Sequence, residues 1–130
     1  MKRPFAAISV LVILALTISC GGTRMEPRQM VALNLQPASA TPASGVDVQF
    51  SATGSFNKPP SPVRVDPIVW IETAADGLLA GNGVAVVDQS GLAHCNRTGR
   101  TWITATAYTG TLNQYRDPAL VRATAQLECP

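Results

Sequence analysis

The sequence has few of the residues that carry out chemistry. It contains one histidine, His94, and three cysteines among 130 residues, and only 5% of the chain is aromatic. A catalytic nucleophile needs a base and an orienting group beside it, and a metal site needs several ligands at suitable spacing. The sequence shows neither pattern, so we expect no enzyme activity, no metal site and no cofactor.

A long apolar run occurs only at the N-terminus. Lys2 and Arg3 precede an apolar stretch over residues 5–18, which is shorter than the ~20 apolar residues that span a bilayer. A positive segment followed by a short apolar one is typical of a secretory signal peptide. An ordinary signal peptide and an uncleaved signal anchor are both compatible with this run.

The residues that end the run resemble the lipobox of bacterial lipoproteins. They read Leu-Thr-Ile-Ser-Cys over positions 16–20, with Thr17 where the family prefers leucine. The resemblance implies cleavage before Cys20 and attachment of acyl chains, palmitate among them, to that cysteine. Residues 1–19 are then the signal peptide, residues 20–30 the lipidated cysteine and a flexible tether, and residues 31–130 the domain. Gly21 rather than aspartate follows the cysteine, which implies a cell-envelope protein sorted to the outer rather than the inner membrane.

Cleavage at this position removes the excess positive charge. Loss of Lys2 and Arg3 leaves eight basic and eight acidic residues, and the basic ones are scattered along the chain. A protein that binds nucleic acid or anionic lipid by charge carries a basic patch. We therefore expect no nucleic-acid partner.

The two remaining cysteines, Cys95 and Cys129, form a pair. In an oxidising compartment such a pair is normally a disulfide. Two free thiols or two metal ligands are the alternative, but the chain offers them no histidine partner other than His94.

From Val31 onward apolar residues recur with a period of two, and no segment shows a helical pattern. The alternation places Val46, Val48, Phe50 and Ala52 on one buried face. It also predicts a hairpin at residues 84–95, and connections over residues 54–67 and 109–118. Together these segments predict an all-β antiparallel sandwich of about seven strands. The phase of the alternation turns both Cys95 and Cys129 inward.

Four pieces of the chain resemble the bacterial immunoglobulin-like domain of group 2. They are residues 46–56 (VDVQFSATGSF), 68–70 (IVW), 84–91 (VAVVDQSG), and Gly99 leading into 103–107 (ITATA). The Pro-rich residues 58–62 and the cysteine pair depart from the family pattern. The resemblance implies a single immunoglobulin-like sandwich with Trp70 in its core.

Two surfaces are candidates for binding. The first is the outward stripe of the strand around Ile103, which carries Trp102, Thr104, Thr106 and Tyr108, unless neighbouring side chains cover it. The second is a loop cluster at one end, unless those loops are only solvated. It would bring together Phe56, Lys58, Arg64, Leu112, Tyr115 and Arg116 near residues 88–91.

These observations predict a non-catalytic cell-envelope lipoprotein. Its immunoglobulin-like domain would serve adhesion, protein interaction or envelope scaffolding, with the membrane as one partner through the lipid anchor. The alternatives are a glycan- or cell-wall-binding module that uses Trp102 and Tyr108, and a purely structural spacer.

Overall fold

A computed structural model describes residues 25–74, 79–112 and 116–130, in which all regular secondary structure is β. This confirms the all-β prediction. The strands, in chain order, are β1 (Met30–Gln36), β2 (Ser39–Ala40), β3 (Val48–Gln49), β4 (Ser51–Phe56), β5 (Val63–Val65), β6 (Val69–Thr73), β7 (Ala85–Val87), β8 (Leu92–Cys95), β9 (Gly99–Leu112) and β10 (Pro118–Cys129).

One layer is assembled around an interrupted strand. β3 and β4 are consecutive pieces of the chain on either side of Phe50. β4 pairs antiparallel with β1 and β5, whereas β3 pairs with β8, which pairs with β7. The backbone N–H of Phe50 donates to the Gly91 carbonyl oxygen at 2.8 Å. The interruption therefore lets one stretch of chain serve two groups of strands.

The other layer is a four-stranded sheet in the order β2–β10–β9–β6. β9 and β10 are paired antiparallel along almost their whole length, and β2 pairs parallel with the end of β10. At ~3.3 Å per residue, the 14 residues of β9 extend over about 45 Å. This sheet gives the molecule a long axis.

The core lies between the layers and follows the predicted alternation closely. Phe50, Ile103 and Leu127 are completely buried, and Trp70 is buried among them. On β10, Ala125, Leu127 and Cys129 point inward while the intervening side chains are more exposed. The prediction that Trp70 is a packing residue is confirmed.

Two inward assignments from the alternation are wrong. Val46 is exposed because β3 begins only at Val48. Val31 is also exposed, and Met30 is buried in its place, because a register irregularity between Met30 and Ala32 shifts the alternation at the start of β1. A bulge of this kind reverses the faces of the residues before it.

The two predicted connections are shorter than expected. β4 extends to Phe56, and β5 lies within the supposed loop over residues 54–67. β9 continues to Leu112 and β10 starts at Pro118. The sandwich therefore ends in a projecting β9–β10 hairpin rather than in a long loop.

The Cys95 and Cys129 sulfur atoms lie at bonding distance, 1.96 Å apart, as the paired cysteines predicted. The bridge connects the last residue of β8 to the last residue of β10. It therefore joins the two layers at one end of the sandwich, which we call the disulfide end.

Candidate functional site

The predicted binding stripe lies on the outer face of β9, but it is only partly accessible. Thr104 and Thr106 are buried, Trp102 is partly buried and Tyr108 is 52% exposed. Thr104 lies between Ile71 of β6 and Thr124 of β10 in register, and its hydroxyl is 2.6 Å from that of Thr73. Of the two possibilities that the sequence left open for Thr104, the structure shows the covered one, because the side chain is buried between the flanking strands.

The side chains around these two threonines remain accessible to solvent on this face. Ile71 is 43% exposed, and Arg122, in register with Thr106, is exposed. With Trp102 they form a surface that we call the β9 face. Trp102 and Tyr108 both belong to this side of the sheet, but six residues of extended chain separate them by about 20 Å.

At the end of the sandwich opposite the disulfide, the chain entering the domain is held by the loop after β4. The backbone N–H of Gln29 donates to Asn57 Oδ1 at 2.9 Å, and the backbone N–H of Asn57 donates to the Gln29 carbonyl at 3.1 Å. Asn57 Nδ2 donates to the Pro27 carbonyl at 3.2 Å. Residues 27–29, which the sequence assigned to a flexible tether, therefore contact the domain.

Arg28 completes this attachment, which we call the N-terminal clamp (residues 26–29 against residues 56–60). Its Nη2 donates to the Pro60 carbonyl at 2.6 Å and its Nε to the Lys58 carbonyl at 3.2 Å. The guanidinium carbon lies 3.6 Å from the centre of the Phe56 ring, a cation–π contact. Lys58 Nζ donates in turn to the Glu26 carbonyl. Phe56 and Lys58 thus hold the chain itself.

The other described residues of the predicted loop cluster lie on β5 and on the β9–β10 hairpin. Arg64 is exposed on β5, where it pairs with Thr53. Arg116 is exposed and has a left-handed backbone conformation, with φ of 66°. Tyr115 lies outside the described residues. Leu112 ends β9 opposite Pro118.

The projecting end of β9 and β10 carries an exposed apolar group of side chains. Tyr108 pairs with Leu120, and Leu112 pairs with Pro118. Leu112 is 63% and Leu120 48% exposed. An open groove of about 260 Å³ is lined by Tyr108, Gly110, Thr111, Leu112 and Pro118. We call Tyr108, Leu112, Pro118 and Leu120 the hairpin tip.

A half-buried carboxylate, which the sequence analysis did not single out, holds the segment before β7. Glu72 Oε2 accepts from the Gly83 backbone N–H at 2.9 Å. Oε1 accepts from the Val84 N–H at 2.9 Å, the Ala85 N–H at 3.2 Å and the Thr101 hydroxyl at 2.8 Å. All its partners are donors of the domain itself, so Glu72 is a structural anchor. The sequence did carry a signal for this role: Glu72 lies two residues after the inward Trp70, so the alternation places its side chain on the inner face.

The turn between β7 and β8 is held by Asp88. Its Oδ1 accepts from the Ser90 hydroxyl at 2.6 Å and from the backbone N–H groups of Ser90 at 2.8 Å and Leu92 at 3.0 Å. The Ser90 hydroxyl first, and the Leu92 N–H next, lower the pKa of the Asp88 carboxyl below its usual 3.8.

His94 is on the exposed side of β8, as its phase predicted. Its Nδ1 lies 2.5 Å from Asp47 Oδ1, and both side chains are largely solvated. A hydroxyl or thiol beside this pair would be needed for nucleophilic catalysis; Cys95 is bonded to Cys129. In the described part of the chain, no three histidine, cysteine or acidic side chains come together as a metal site.

No protein-family model matches the chain, and no curated protein is significantly similar to it.

The predicted lipidation site, Cys20, and the signal peptide over residues 1–19 lie outside the described residues. Within residues 25–74, 79–112 and 116–130 no helix is long and apolar enough to cross a membrane.

Proposed function

We propose that the chain is a non-catalytic, lipid-anchored module of the bacterial cell envelope whose immunoglobulin-like domain binds a protein partner. The observation that supports the immunoglobulin-like part of this proposal is the order of its strands. One layer runs β1, β3–β4, β8, β7, and the other holds β6, β9 and β10 side by side. Seven strands divided in this way match the ABED and CFG sheets of an immunoglobulin-like sandwich.

A sandwich of this kind supports many functions, so the partner has to be inferred from a surface. The β9 face offers an indole, an aliphatic side chain and a guanidinium on one side of a sheet, in Trp102, Ile71 and Arg122. Trp and Arg are enriched where proteins bind one another. Thr104 and Thr106, which lie between them, are buried and are flanked in register by residues of β6 and β10.

A glycan-binding role receives less support from the same face. Stacking on a sugar needs an accessible aromatic ring, and Trp102 is partly buried. Tyr108 is accessible, but at about 20 Å from Trp102 it cannot grip the same sugar unit.

Anchoring through Cys20 is supported by the sequence that precedes it. A positive segment, a short apolar run and a cysteine after a small residue are the elements that direct export and acylation. An anchor of two or more acyl chains gives stable membrane attachment.

Photo-crosslinking in living cells tests the partner surface. The full-length protein would carry a photoreactive residue at Ile71, and a matched protein would carry it at Arg64, which is exposed on β5 in the other layer. We expect one dominant protein adduct from position 71, its loss when Trp102→Ala is added, and no such adduct from position 64.

Equal adducts from both positions, or none from position 71, would refute the proposed protein-binding face. Retention of the protein on purified peptidoglycan that is lost in Trp102→Ala and Tyr108→Ala would favour the glycan alternative instead.

A further inference from the structure

The N-terminal clamp determines which end of the sandwich lies next to the anchor. The hydrogen bonds of Arg28, Gln29 and Asn57 fix the entering chain at the end of the domain where β4 finishes. Cys20 precedes Glu26 by six residues, which at ~3.5 Å per residue span at most about 21 Å. A lipid chain on Cys20 therefore keeps this end close to the membrane surface.

The hairpin tip lies at the same end. A Cβ on Gly110 would be only 3.6 Å from the Arg28 carbonyl oxygen, so β9 passes directly beside the clamp. β9 then continues to Leu112, and the chain returns from Pro118. The disulfide lies at the opposite end, since β9 begins at Gly99 in register with Cys129.

The side chains of the tip are of the kind that enter the interfacial layer of a bilayer. Leu112 and Leu120 are exposed aliphatic groups on neighbouring strands, and Tyr108 adds a ring with a polar hydroxyl. Tyrosine is enriched at membrane interfaces because its ring is apolar and its hydroxyl reaches water. Met25, beside the clamp in sequence, is 89% exposed and apolar.

We propose that the hairpin tip inserts into the headgroup layer of the membrane that holds the lipid anchor. This inference rests on the proposed lipidation of Cys20. The lipid chain and the tip together hold the domain at two points, so the disulfide end is directed away from the membrane. The partner is the lipid surface itself, contacted through apolar side chains rather than through a basic patch.

Depth-dependent fluorescence quenching tests the proposal on the full-length protein purified from membranes. A fluorescent amino acid would be placed at Leu112 or, as the control, at Thr98, which is exposed at the disulfide end. Both proteins would be reconstituted into phosphatidylethanolamine–phosphatidylglycerol vesicles with nitroxide-labelled lipid. We expect at least threefold stronger quenching at position 112 than at position 98.

A second pair of variants isolates the clamp. Arg28→Ala with Asn57→Ala should reduce the quenching at position 112 while the protein still floats with vesicles, whereas Arg64→Ala should leave it unchanged. The disulfide, assayed by alkylation under non-reducing conditions, reports that the domain remains folded.

Flotation of the protein with vesicles distinguishes a failure of this inference from a failure of the proposed lipid anchor. A protein that floats, loses flotation in Cys20→Ala and shows equal quenching at positions 112 and 98 would overturn the inference and leave the anchor intact. A wild-type protein that does not float, or a Cys20→Ala variant that floats equally well, would overturn the lipid anchor and the inference with it.

Discussion

Individual side chains in this domain act mainly by satisfying backbone donors. Asp88 caps the turn before β8, and Glu72 holds the three N–H groups at the start of β7. The hydrogen bonds that Asp88 accepts favour its charged form and lower its pKa. The charged state of Asp88 is therefore linked to the stability of the turn.

Asp88 predicts a defined dependence of stability on acid. Its folded pKa lies below the ordinary 3.8, so its stabilisation is present above that pH and is lost as the pH falls through the folded value. Asp88→Asn should therefore be less stable than the wild type at neutral pH, and the difference should shrink as the pH falls below the ordinary value of 3.8. Urea unfolding followed by circular dichroism would measure it. Asp66→Asn, an exposed aspartate outside the turn, is the control, and a pH-independent difference at Asp88 would contradict the prediction.

The alternation of single residues could be predicted where strands are regular. The inward position of Ile103 was predicted correctly because β9 forms uninterrupted antiparallel pairs there. The burial of Trp70, which the resemblance implied, is also observed. The sequence left open whether neighbouring side chains cover Thr104, since its burial depends on residues of two other strands. The structural role of Glu72 could have been predicted, because the alternation places its carboxylate on the inner face.

At the scale of elements, the β7–β8 turn packs closely against the core. Gly91 has φ of +83°, and a Cβ there would lie 2.6 Å from the Phe50 carbonyl oxygen and 3.0 Å from the Trp70 ring. A side chain at this position would therefore be disfavoured twice, by the left-handed backbone conformation and by steric overlap with Phe50 and Trp70.

Comparing two glycines separates these effects. Gly45 also has positive φ, +76°, but a Cβ there has nothing within 4 Å. Gly45→Ala should cost about 1 kcal/mol, the left-handed penalty alone. Gly91→Ala should cost about 3 kcal/mol, because the overpacking is added. Equal losses in the free energy of unfolding, measured with urea, would show that the turn yields to the added methyl group.

The breaks in the strands explain why element boundaries were the weakest part of the sequence-based prediction. Nothing in the alternation of residues 46–53 shows that pairing changes partner at Phe50, because the side-chain pattern continues through it. β5 escaped prediction because it is three residues long and lies among prolines. Strand pairing depends on two segments, so the residue pattern of one segment does not show which strand it pairs with.

For the whole molecule, the bond between Cys95 and Cys129 should contribute a large share of stability. It closes a loop with a sequence separation of 34, for which the chain-entropy model gives about 3–4 kcal/mol. Cys95→Ser with Cys129→Ser should lower the free energy of unfolding by this amount, as measured by urea unfolding. A reducing agent should lower the free energy of unfolding of the wild-type protein by the same amount. It should leave that of the double variant unchanged. A double variant as stable as the wild type would contradict the prediction.

The layout of the two ends has a mechanical consequence. The chain enters at Met30, next to the clamp, and β1 and β10 both run from there towards the disulfide end. A partner that pulls on that end against a fixed N-terminus would apply force parallel to the strands. The ladder between β1 and β4 would then be loaded in shear, with all its hydrogen bonds resisting together instead of opening one after another. We expect a domain loaded in this direction to resist extension.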